Sequence, residues 1–90
     1  MEPAYRAATD VTFTELGDGT GVLLHLGSKF YFSLNATGVA AWRAIGTGAS
    51  RTQIAEEIAK RFRIDADTAA RDVEPLLREM LDEGLIARLP

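Results

Sequence analysis

The sequence contains no cysteine and only one histidine, His25. The missing thiols exclude disulfides, thiolate nucleophiles and sulfur-ligated metals. No apolar run approaches the roughly 20 residues that a membrane-spanning helix needs. The opening stretch MEPAYRAATD lacks the basic flank and the apolar segment of a secretory signal peptide. These absences lead us to expect a cytoplasmic protein that does not enter the membrane.

Charge and length set further limits. Thirteen acidic residues outnumber ten basic ones, and the formal charge of −3 disfavours nucleic acid and anionic membranes as partners. A chain of 90 residues buries only about 60–65 % of its unfolded surface, which permits at most a two-layer core. We expect a single domain over residues 1–90, in which residues 1–9 form a flexible arm.

Catalytic and metal-binding motifs are absent from the sequence. His25 lies within a predicted strand and has no acid or nucleophile at a motif spacing, so we expect a half-exposed strand histidine. The acidic run DADTAARD, residues 65–72, lacks the glycine and the ligand spacing of a calcium loop. The stretch GDGTG, residues 17–21, precedes a strand and not a helix, which does not fit a phosphate loop. We predict no catalytic residue, no metal site and no cofactor.

The first part of the chain has the pattern of β-strands. VTFTEL, residues 11–16, alternates β-branched or aromatic residues with polar ones, and GDGTG supplies the glycines of a hairpin loop. VLLHL, residues 22–26, is a second strand, and Gly27-Ser28 suits a two-residue turn before a third strand over residues 29–34. A period of two separates the side chains of this third strand into two faces: Phe30, Phe32 and Leu34 against Lys29, Tyr31 and Ser33.

Three helices are predicted to follow the strands. Asn35 can cap the first helix, and SRTQ, residues 50–53, has the spacing of a capping box, with Thr52 as a rival cap for the second. Asp65 or Asp67 can cap the third. The apolar stripe of the third helix consists of Ala69, Val73, Leu76, Leu77, Met80 and Leu81.

Pro75 lies within the third predicted helix. Proline there costs about 3 kcal/mol because it lacks an N–H and crowds the preceding turn. The apolar stripe nevertheless passes through this position without a change of phase, so we predict one helix bent near residues 71–72. Gly84 is expected to end it, and LIARL, residues 85–89, to return as a short extended tail. The expected fold is α+β and winged-helix-like, with a three-stranded antiparallel sheet followed by three helices.

A winged-helix fold raises the alternative of a DNA-binding regulator. The third helix would then be the recognition helix, but acidic residues dominate it. Between residues 65 and 84 it carries seven acidic side chains against Arg71 and Arg78. A surface that must neutralise phosphates requires the opposite balance. The sequence therefore disfavours DNA binding.

The third strand has only the second as its predicted neighbour, so its other edge would expose unpaired N–H and C=O groups. The tail of the chain or a dimer partner could cover this edge. Alternatively, an extended peptide could add to it as a further strand, with alternate side chains entering apolar pockets. Such pockets would lie between Phe30 and Phe32 on one side and the inner stripe of the third helix on the other. That stripe is Val73, Leu76, Leu77 and Met80, with Asp72 and Glu79 nearby to pair with a basic or hydroxyl-bearing side chain.

Three stretches resemble the PqqD-like domains: GSKFYFSLNATGVAAW, TQIAEEIAKRF and RDVEPLLREMLDEGLI. The resemblance covers residues 11–89, nearly the whole chain. PqqD-like domains are recognition elements in pathways for ribosomally made, post-translationally modified peptides. The resemblance implies that the leader of a precursor peptide docks as an extra strand on the third strand, against the third helix. It also implies that the domain itself does no chemistry and presents the peptide to a processing enzyme.

By position, the resemblance places the peptide groove on residues 29–33 and on the facing side of the third helix. Pro75 departs from the family pattern, and the segment typical of pyrroloquinoline quinone pathways is replaced by HLGSKFYF. The chain is more similar to the discrete recognition proteins of lasso-peptide pathways, which implies delivery to a separate transglutaminase-like cysteine protease. The predicted peptide-binding residues are Lys29, Phe30, Tyr31, Phe32, Ser33, Arg71, Asp72, Val73, Leu76, Leu77 and Met80.

Overall fold

Five short strands and three helices make up residues 3–89, the part of the chain that the computed structural model describes. In chain order, the strands and helices are β1 (Tyr5–Ala7), β2 (Val11–Glu15), β3 (Gly21–His25), β4 (Phe30–Leu34), α1 (Ala36–Gly46), α2 (Arg51–Phe62), α3 (Ala66–Asp82) and β5 (Ile86–Arg88). The sequence-based expectation of a three-stranded sheet followed by three helices is confirmed. The first and last strands were not part of that sheet prediction.

The three-stranded sheet is an antiparallel meander in the order β2-β3-β4. Phe13, Leu23 and Phe32 lie side by side across it. The predicted two-residue turn at Gly27-Ser28 is wrong, because residues 26–29 form a four-residue loop between β3 and β4. Lys29 takes the left-handed conformation in this loop, with φ of 67°, and its N–H donates to the carbonyl of His25. β4 therefore begins at Phe30, one residue later than predicted.

The expectation of a flexible arm over residues 1–9 is wrong for residues 5–7. These residues form β1, which pairs with β5 in a separate two-stranded sheet. The Tyr5 side chain is buried, and its backbone N–H donates to the carbonyl of Ala49 at 3.1 Å. Residues 1–2 lie outside the described part of the chain. The short extended tail expected after Gly84 is confirmed as β5.

Side-chain caps fix the start of each helix. The Asn35 side chain accepts a hydrogen bond from the Gly38 N–H at 2.8 Å, as predicted. Ser50, and not Thr52, caps α2, and a complete capping box joins it to Gln53. Asp65 caps α3. Each cap satisfies a backbone N–H that has no partner within its helix.

α3 continues through Pro75 as one helix, as predicted. The bend expected near residues 71–72 stays a prediction. The helix ends at Asp82, Gly84 follows two residues later with a positive φ of 73°, and the Leu85 N–H returns to the carbonyl of Met80 at 2.9 Å. This arrangement satisfies carbonyls at the end of the helix and turns the chain into β5.

One hydrophobic cluster lies between the helices and the sheet. Its largest fully buried side chains are Leu23, Ile45, Ile54, Ile58, Val73, Met80 and Leu85. The inner face of the three-stranded sheet contributes to this cluster mainly at one end, where β4 contacts α1. Among residues 3–89, no helix is long and apolar enough to cross a membrane.

Candidate functional site

The hydrogen bonds of the sheet determine which groups of β4 face outward. The Leu26 N–H donates to the carbonyl of Asp10 at 2.8 Å, which extends the β2–β3 ladder by one pair. Bonding directions alternate along an antiparallel strand. The even-numbered residues of β3 therefore bond to β2, and the odd-numbered residues bond to β4. Their partners in β4 are Phe30, Phe32 and Leu34.

Tyr31 and Ser33 consequently direct their N–H and C=O groups to the other edge of β4. Within residues 3–89, β3 is the only strand that pairs with β4, because β1 and β5 form a separate sheet. This edge is open to a further strand. The predicted edge of the third strand is thus present in the structure, and it offers one donor and one acceptor at each of two positions.

Burial decreases along β4 toward its first residue. Leu34 is buried, Phe32 is partly buried, and Phe30 remains 65 % exposed. Tyr31 is 71 % exposed, and these two aromatic side chains are the most exposed of the large hydrophobic residues described. The open edge and the exposed aromatic residues occur at the same place.

The last residue of β4 packs against the first turn of α1. Leu34 packs so closely on Gly38 that a Cβ atom on this glycine would lie 3.1 Å from Leu34 Cδ2. The C-terminal end of β4 is therefore fixed to α1, whereas Phe30 at the other end is 65 % exposed. Asn35 caps α1 directly after Leu34, and its side chain accepts a hydrogen bond from the Gly38 N–H. Because Gly38 has no side chain, Leu34 can pack against the first turn of the helix.

The predicted residues of α3 occupy two kinds of environment. Val73, Leu77 and Met80 are buried in the core, so they lie beneath the surface and are not open to solvent. Leu76 is partly buried against the same core, and Asp72 is exposed. Leu76 and Asp72 are therefore the apolar and acidic residues of this set that a ligand could reach without a rearrangement of the core.

Arg71 lies on a different side of α3 from its neighbour Asp72. It lines a cavity of about 650 Å³ between α2 and α3, together with Ala55 of α2 and Ala70 of α3. Asp72, Leu76 and Glu79 follow one another at four- and three-residue spacings, which places them on the opposite flank. The structure thus does not bring Arg71 together with Asp72 and Leu76. Because successive residues of a helix are rotated by about 100°, the sequence alone could have shown that Arg71 and Asp72 point in different directions.

The flank of α3 that faces away from α2 is acidic. Asp72, Glu79 and Glu83 are all exposed on it. On the side of α2, Arg51 Nη1 lies 2.6 Å from Glu74 Oε2, and Arg78 Nη2 lies 3.5 Å from Glu74 Oε1. The basic side chains of α3 are therefore directed toward α2, and they leave the opposite flank with a negative potential.

His25 is held by polar contacts of its own hairpin. Its Nδ1 accepts a hydrogen bond from the Ser28 N–H at 3.1 Å, which leaves the ring proton on Nε2, 3.6 Å from Asp10 Oδ2. This half-buried histidine joins the loop after β3 to the segment before β2. In residues 3–89, no group of three or more histidine, cysteine, aspartate or glutamate side chains could hold a metal ion.

The comparisons with known proteins identify the family. Residues 20–86 match the family described as coenzyme PQQ synthesis protein D, PqqD. The chain belongs to the PqqD family. This match confirms the resemblance found in the sequence, and it includes β3, β4 and all three helices.

Two solved structures resemble this PqqD-family chain over most of its length. One is described as TbiB1 in complex with the TbiA(beta) leader peptide, with 28 % sequence identity and a TM-score of 0.80. The alignment covers 90 % of the present chain and 93 % of that chain. The other is described as lasso peptide synthetase B1 complexed with the leader peptide, at 23 % identity and a TM-score of 0.79, with 97 % and 99 % coverage of the present chain and of that chain. No curated protein sequence matches the chain. These comparisons give no support to the DNA-binding alternative.

Proposed function

We propose that this protein binds the leader segment of a ribosomally made precursor peptide, without catalysing a reaction, and presents it to a processing enzyme. The leader adds as a strand to the open edge of β4. The single observation that carries this proposal is the coincidence of that edge with the exposed side chains of Phe30 and Tyr31. Two structurally similar proteins are described as complexes with leader peptides, which supports the proposal.

The guest strand would lie between β4 and the flank of α3 that faces away from α2. Tyr31 and Ser33 supply the main-chain hydrogen bonds, and Lys29 stands at the entrance of the edge. Phe30, Phe32 and Leu76 receive apolar side chains of the peptide, while Val73, Leu77 and Met80 support them from the core. Asp72 is placed to pair with a basic or hydroxyl-bearing side chain. Arg71 is left out of this site because it lines the cavity on the side of α2.

The expected affinity follows from these contacts. Each main-chain hydrogen bond contributes about 1 kcal/mol net, and each buried apolar anchor adds about 1.5–3 kcal/mol. The ordering of a flexible peptide offsets much of this gain. We therefore expect dissociation constants in the nanomolar to micromolar range.

The processing enzyme in this proposal is a transglutaminase-like cysteine protease that removes the leader. Its assignment rests on the similarity of the chain to recognition proteins of lasso-peptide pathways. Precursor synthesis by ribosomes places the encounter in the cytoplasm. The protein itself contributes binding and orientation, and the enzyme contributes the chemistry.

A proline at position 31 tests strand addition directly. Tyr31→Pro removes an N–H that faces the open edge and leaves the hydrogen bonds between β3 and β4 in place. The matched control is Val11→Pro, since Val11 directs its N–H to the opposite edge of the same sheet. Isothermal titration uses synthetic peptides that copy the leaders of candidate precursor peptides.

We expect Tyr31→Pro to raise the dissociation constant at least tenfold and Val11→Pro to change it no more than about twofold. Circular dichroism verifies that both variants fold. If a folded Tyr31→Pro protein binds the leader as tightly as the wild type, the peptide does not add to β4. Sedimentation of the wild type alone tests whether a second copy occupies this edge instead.

A further inference from the structure

His25, the last residue of β3, lies beside the start of the open edge of β4. It is the cross-strand partner of Phe30, so the two side chains lie on the same face of the sheet. The His25 ring is half-buried, whereas Phe30 is exposed. Tyr31 comes next in β4 and directs the first N–H and C=O of the open edge outward. The residues that lead from His25 to Phe30 therefore determine how this edge begins.

His25 accepts hydrogen bonds from two consecutive backbone N–H groups of the loop at residues 26–29. Its carbonyl accepts from the Lys29 N–H at 2.8 Å, and its Nδ1 accepts from the Ser28 N–H at 3.1 Å. The Ser28 hydroxyl group also lies 3.1 Å from Nδ1. The ring packs against the loop backbone, since a Cβ atom on Gly27 would lie 3.1 Å from His25 Cε1. One residue of β3 thus contacts three successive residues of the loop.

The loop has a strained backbone at Lys29. Its φ of 67° lies in the left-handed region, where a Cβ atom crowds the following carbonyl oxygen. Glycine adopts this conformation without the crowding, but position 29 is a lysine. The hydrogen bonds from Ser28 and Lys29 to His25 offset this cost. Without them, the loop would relax and carry Phe30 away from its present direction.

From these contacts, we propose that His25 is a positioning residue of the peptide-binding site. This inference rests on the proposed function. The neutral ring holds the loop in the conformation that presents Phe30 and Tyr31 to the guest strand. His25 acts through the loop, whereas the residues of β4 contact the peptide.

The protonation state of the ring decides whether it can hold the loop. Only an Nδ1 without a proton accepts the hydrogen bond from the Ser28 N–H. A proton on Nδ1 converts this acceptor into a donor that faces another donor. Histidine changes its charge between about pH 5 and pH 8. The affinity for the leader should therefore fall as the pH falls through this range.

The charged groups around the ring do not replace the Ser28 bond. Asp10, before β2, faces the other nitrogen, with its Oδ2 atom 3.6 Å from Nε2. At the end of α3, a Cβ atom on Gly84 would lie 3.7 Å from Nε2, and the preceding Glu83 is exposed. Lys29, the charged residue of the loop, is exposed as well. Protonation of Nδ1 thus leaves the Asp10 contact in place and breaks the contact that holds the loop.

Two substitutions of similar size separate this role from a general effect on the strand. His25→Asn places an amide oxygen close to the position of Nδ1, so it keeps an acceptor for the Ser28 N–H and does not titrate. His25→Leu has a similar shape and no acceptor. Asparagine is the poorer strand residue of the two, so an effect on the strand alone would harm His25→Asn more. Isothermal titration uses synthetic peptides that copy the leaders of candidate precursor peptides and contain no histidine.

We expect His25→Leu to raise the dissociation constant about fivefold and His25→Asn to change it by no more than about twofold at neutral pH, as for the loss of one hydrogen bond. The wild type should bind about threefold more weakly at about pH 5.5 than at about pH 7.5, and the affinity of His25→Asn should stay nearly constant. In nuclear magnetic resonance spectra of the unbound wild type, the amide signals of Ser28 and Tyr31 should shift together with the ring signals of His25, the only histidine of the chain. Circular dichroism verifies that the variants fold.

A folded His25→Leu protein that binds as tightly as the wild type would overturn the inference. Wild-type affinity that does not change between about pH 5.5 and pH 7.5 would overturn it too, and this measurement decides the matter if His25→Leu does not fold. A pH dependence that persists in His25→Asn would assign the effect to another group and would also refute the role of His25. Failure of the wild type to bind any of the peptides at neutral pH would instead refute the proposed function, and the titration reports this before any variant is used.

Discussion

Leu34, the last residue of β4, packs directly against Gly38 in the first turn of α1. A Cβ atom on Gly38 would lie 3.1 Å from Leu34 Cδ2 and 3.2 Å from Leu34 Cβ. This contact fixes the sheet to the helices at one end of β4. Phe30, at the other end, is exposed. The candidate peptide-binding edge is therefore anchored at one end and open at the other.

A larger side chain at position 38 should disturb this anchor. We expect Gly38→Val to lower the free energy of unfolding by about 1–3 kcal/mol, because overpacking forces Leu34 or the helix to shift. Gly46→Val, in the last turn of the same helix, is the control, since beyond its chain neighbours and the nearby helix backbone no atom lies within 4 Å of the position of its Cβ. Urea denaturation measures both. Equal effects at the two positions would mean that the Leu34–Gly38 contact does not limit the packing.

Substitutions at Phe30 and Arg71 should differ in their effect on the dissociation constant of the leader. Phe30 is 65 % exposed in the unbound protein, so Phe30→Ala should weaken leader binding at least tenfold and change stability little. Arg71→Gln should leave the dissociation constant within about twofold, because this side chain lines the cavity between α2 and α3. Isothermal titration with the synthetic leader compares the two variants. If Arg71→Gln weakened leader binding more than Phe30→Ala, the peptide would lie on the flank of α3 that faces α2, and the proposed site would be wrong.

Tyr5 should contribute to stability although it lies near the start of the chain. Its side chain is buried beside α3, and β1 pairs with β5. We expect Tyr5→Ala to destabilise the fold by about 3 kcal/mol, as for other buried aromatic residues. Thermal unfolding followed by circular dichroism measures the change. Arg6→Ala, an exposed position in the same strand, should have little effect; similar losses at both positions would point to the strand pairing and not to the aromatic side chain.

Acid should weaken the start of α3. Hydrogen bonds from the backbone N–H and the hydroxyl group of Thr68 lower the pKa of Asp65 below its ordinary value of 3.8. A carboxyl group with a lowered pKa in the folded state stabilises the fold above its unfolded pKa, and this contribution is lost as pH falls through the folded pKa. The stabilisation by Asp65 should therefore be complete above about pH 5 and decline below pH 3.8.

Asp65→Asn isolates this effect, because asparagine caps helices as well as aspartate but does not titrate. We expect this variant to match the wild type in urea denaturation at pH 7 and to lose less stability on acidification. Asp18 keeps part of the acid dependence, since hydrogen bonds from the hydroxyl group and the backbone N–H of Thr20 also lower its pKa. An unchanged acid dependence in Asp65→Asn would show that the Asp65 cap does not contribute to it.

Local signals in the sequence predicted most of the fold. The alternation of residues 11–16 and 30–34, the Asn35 cap and the capping box at Ser50 each depend on neighbours within a few positions. β1 escaped prediction because a strand of three residues has no detectable period, and its partner lies about 80 residues away in the chain. The turn after β3 was mispredicted because Lys29, and not a glycine, adopts the positive φ.

The candidate site could be predicted only in part. A period of two located the exposed aromatic residues of β4, and the helical period located the apolar stripe of α3. The sequence did not reveal how deeply Val73, Leu77 and Met80 are buried, since burial depends on how α2 and β5 pack against α3. It also could not show which backbone groups of β4 face outward, because that follows from the register of the β2–β3 ladder.

The pairing of β1 with β5 brings distant parts of the chain together. The Leu89 N–H donates to the carbonyl of Ala4 at 2.8 Å, so residues 4 and 89 are neighbours in space. Residues 4 and 89 therefore lie at the same corner of the molecule. A short linker could therefore join residue 89 to residue 4 in a circular permutant, whose new ends could be opened in the exposed loop at residues 17–19.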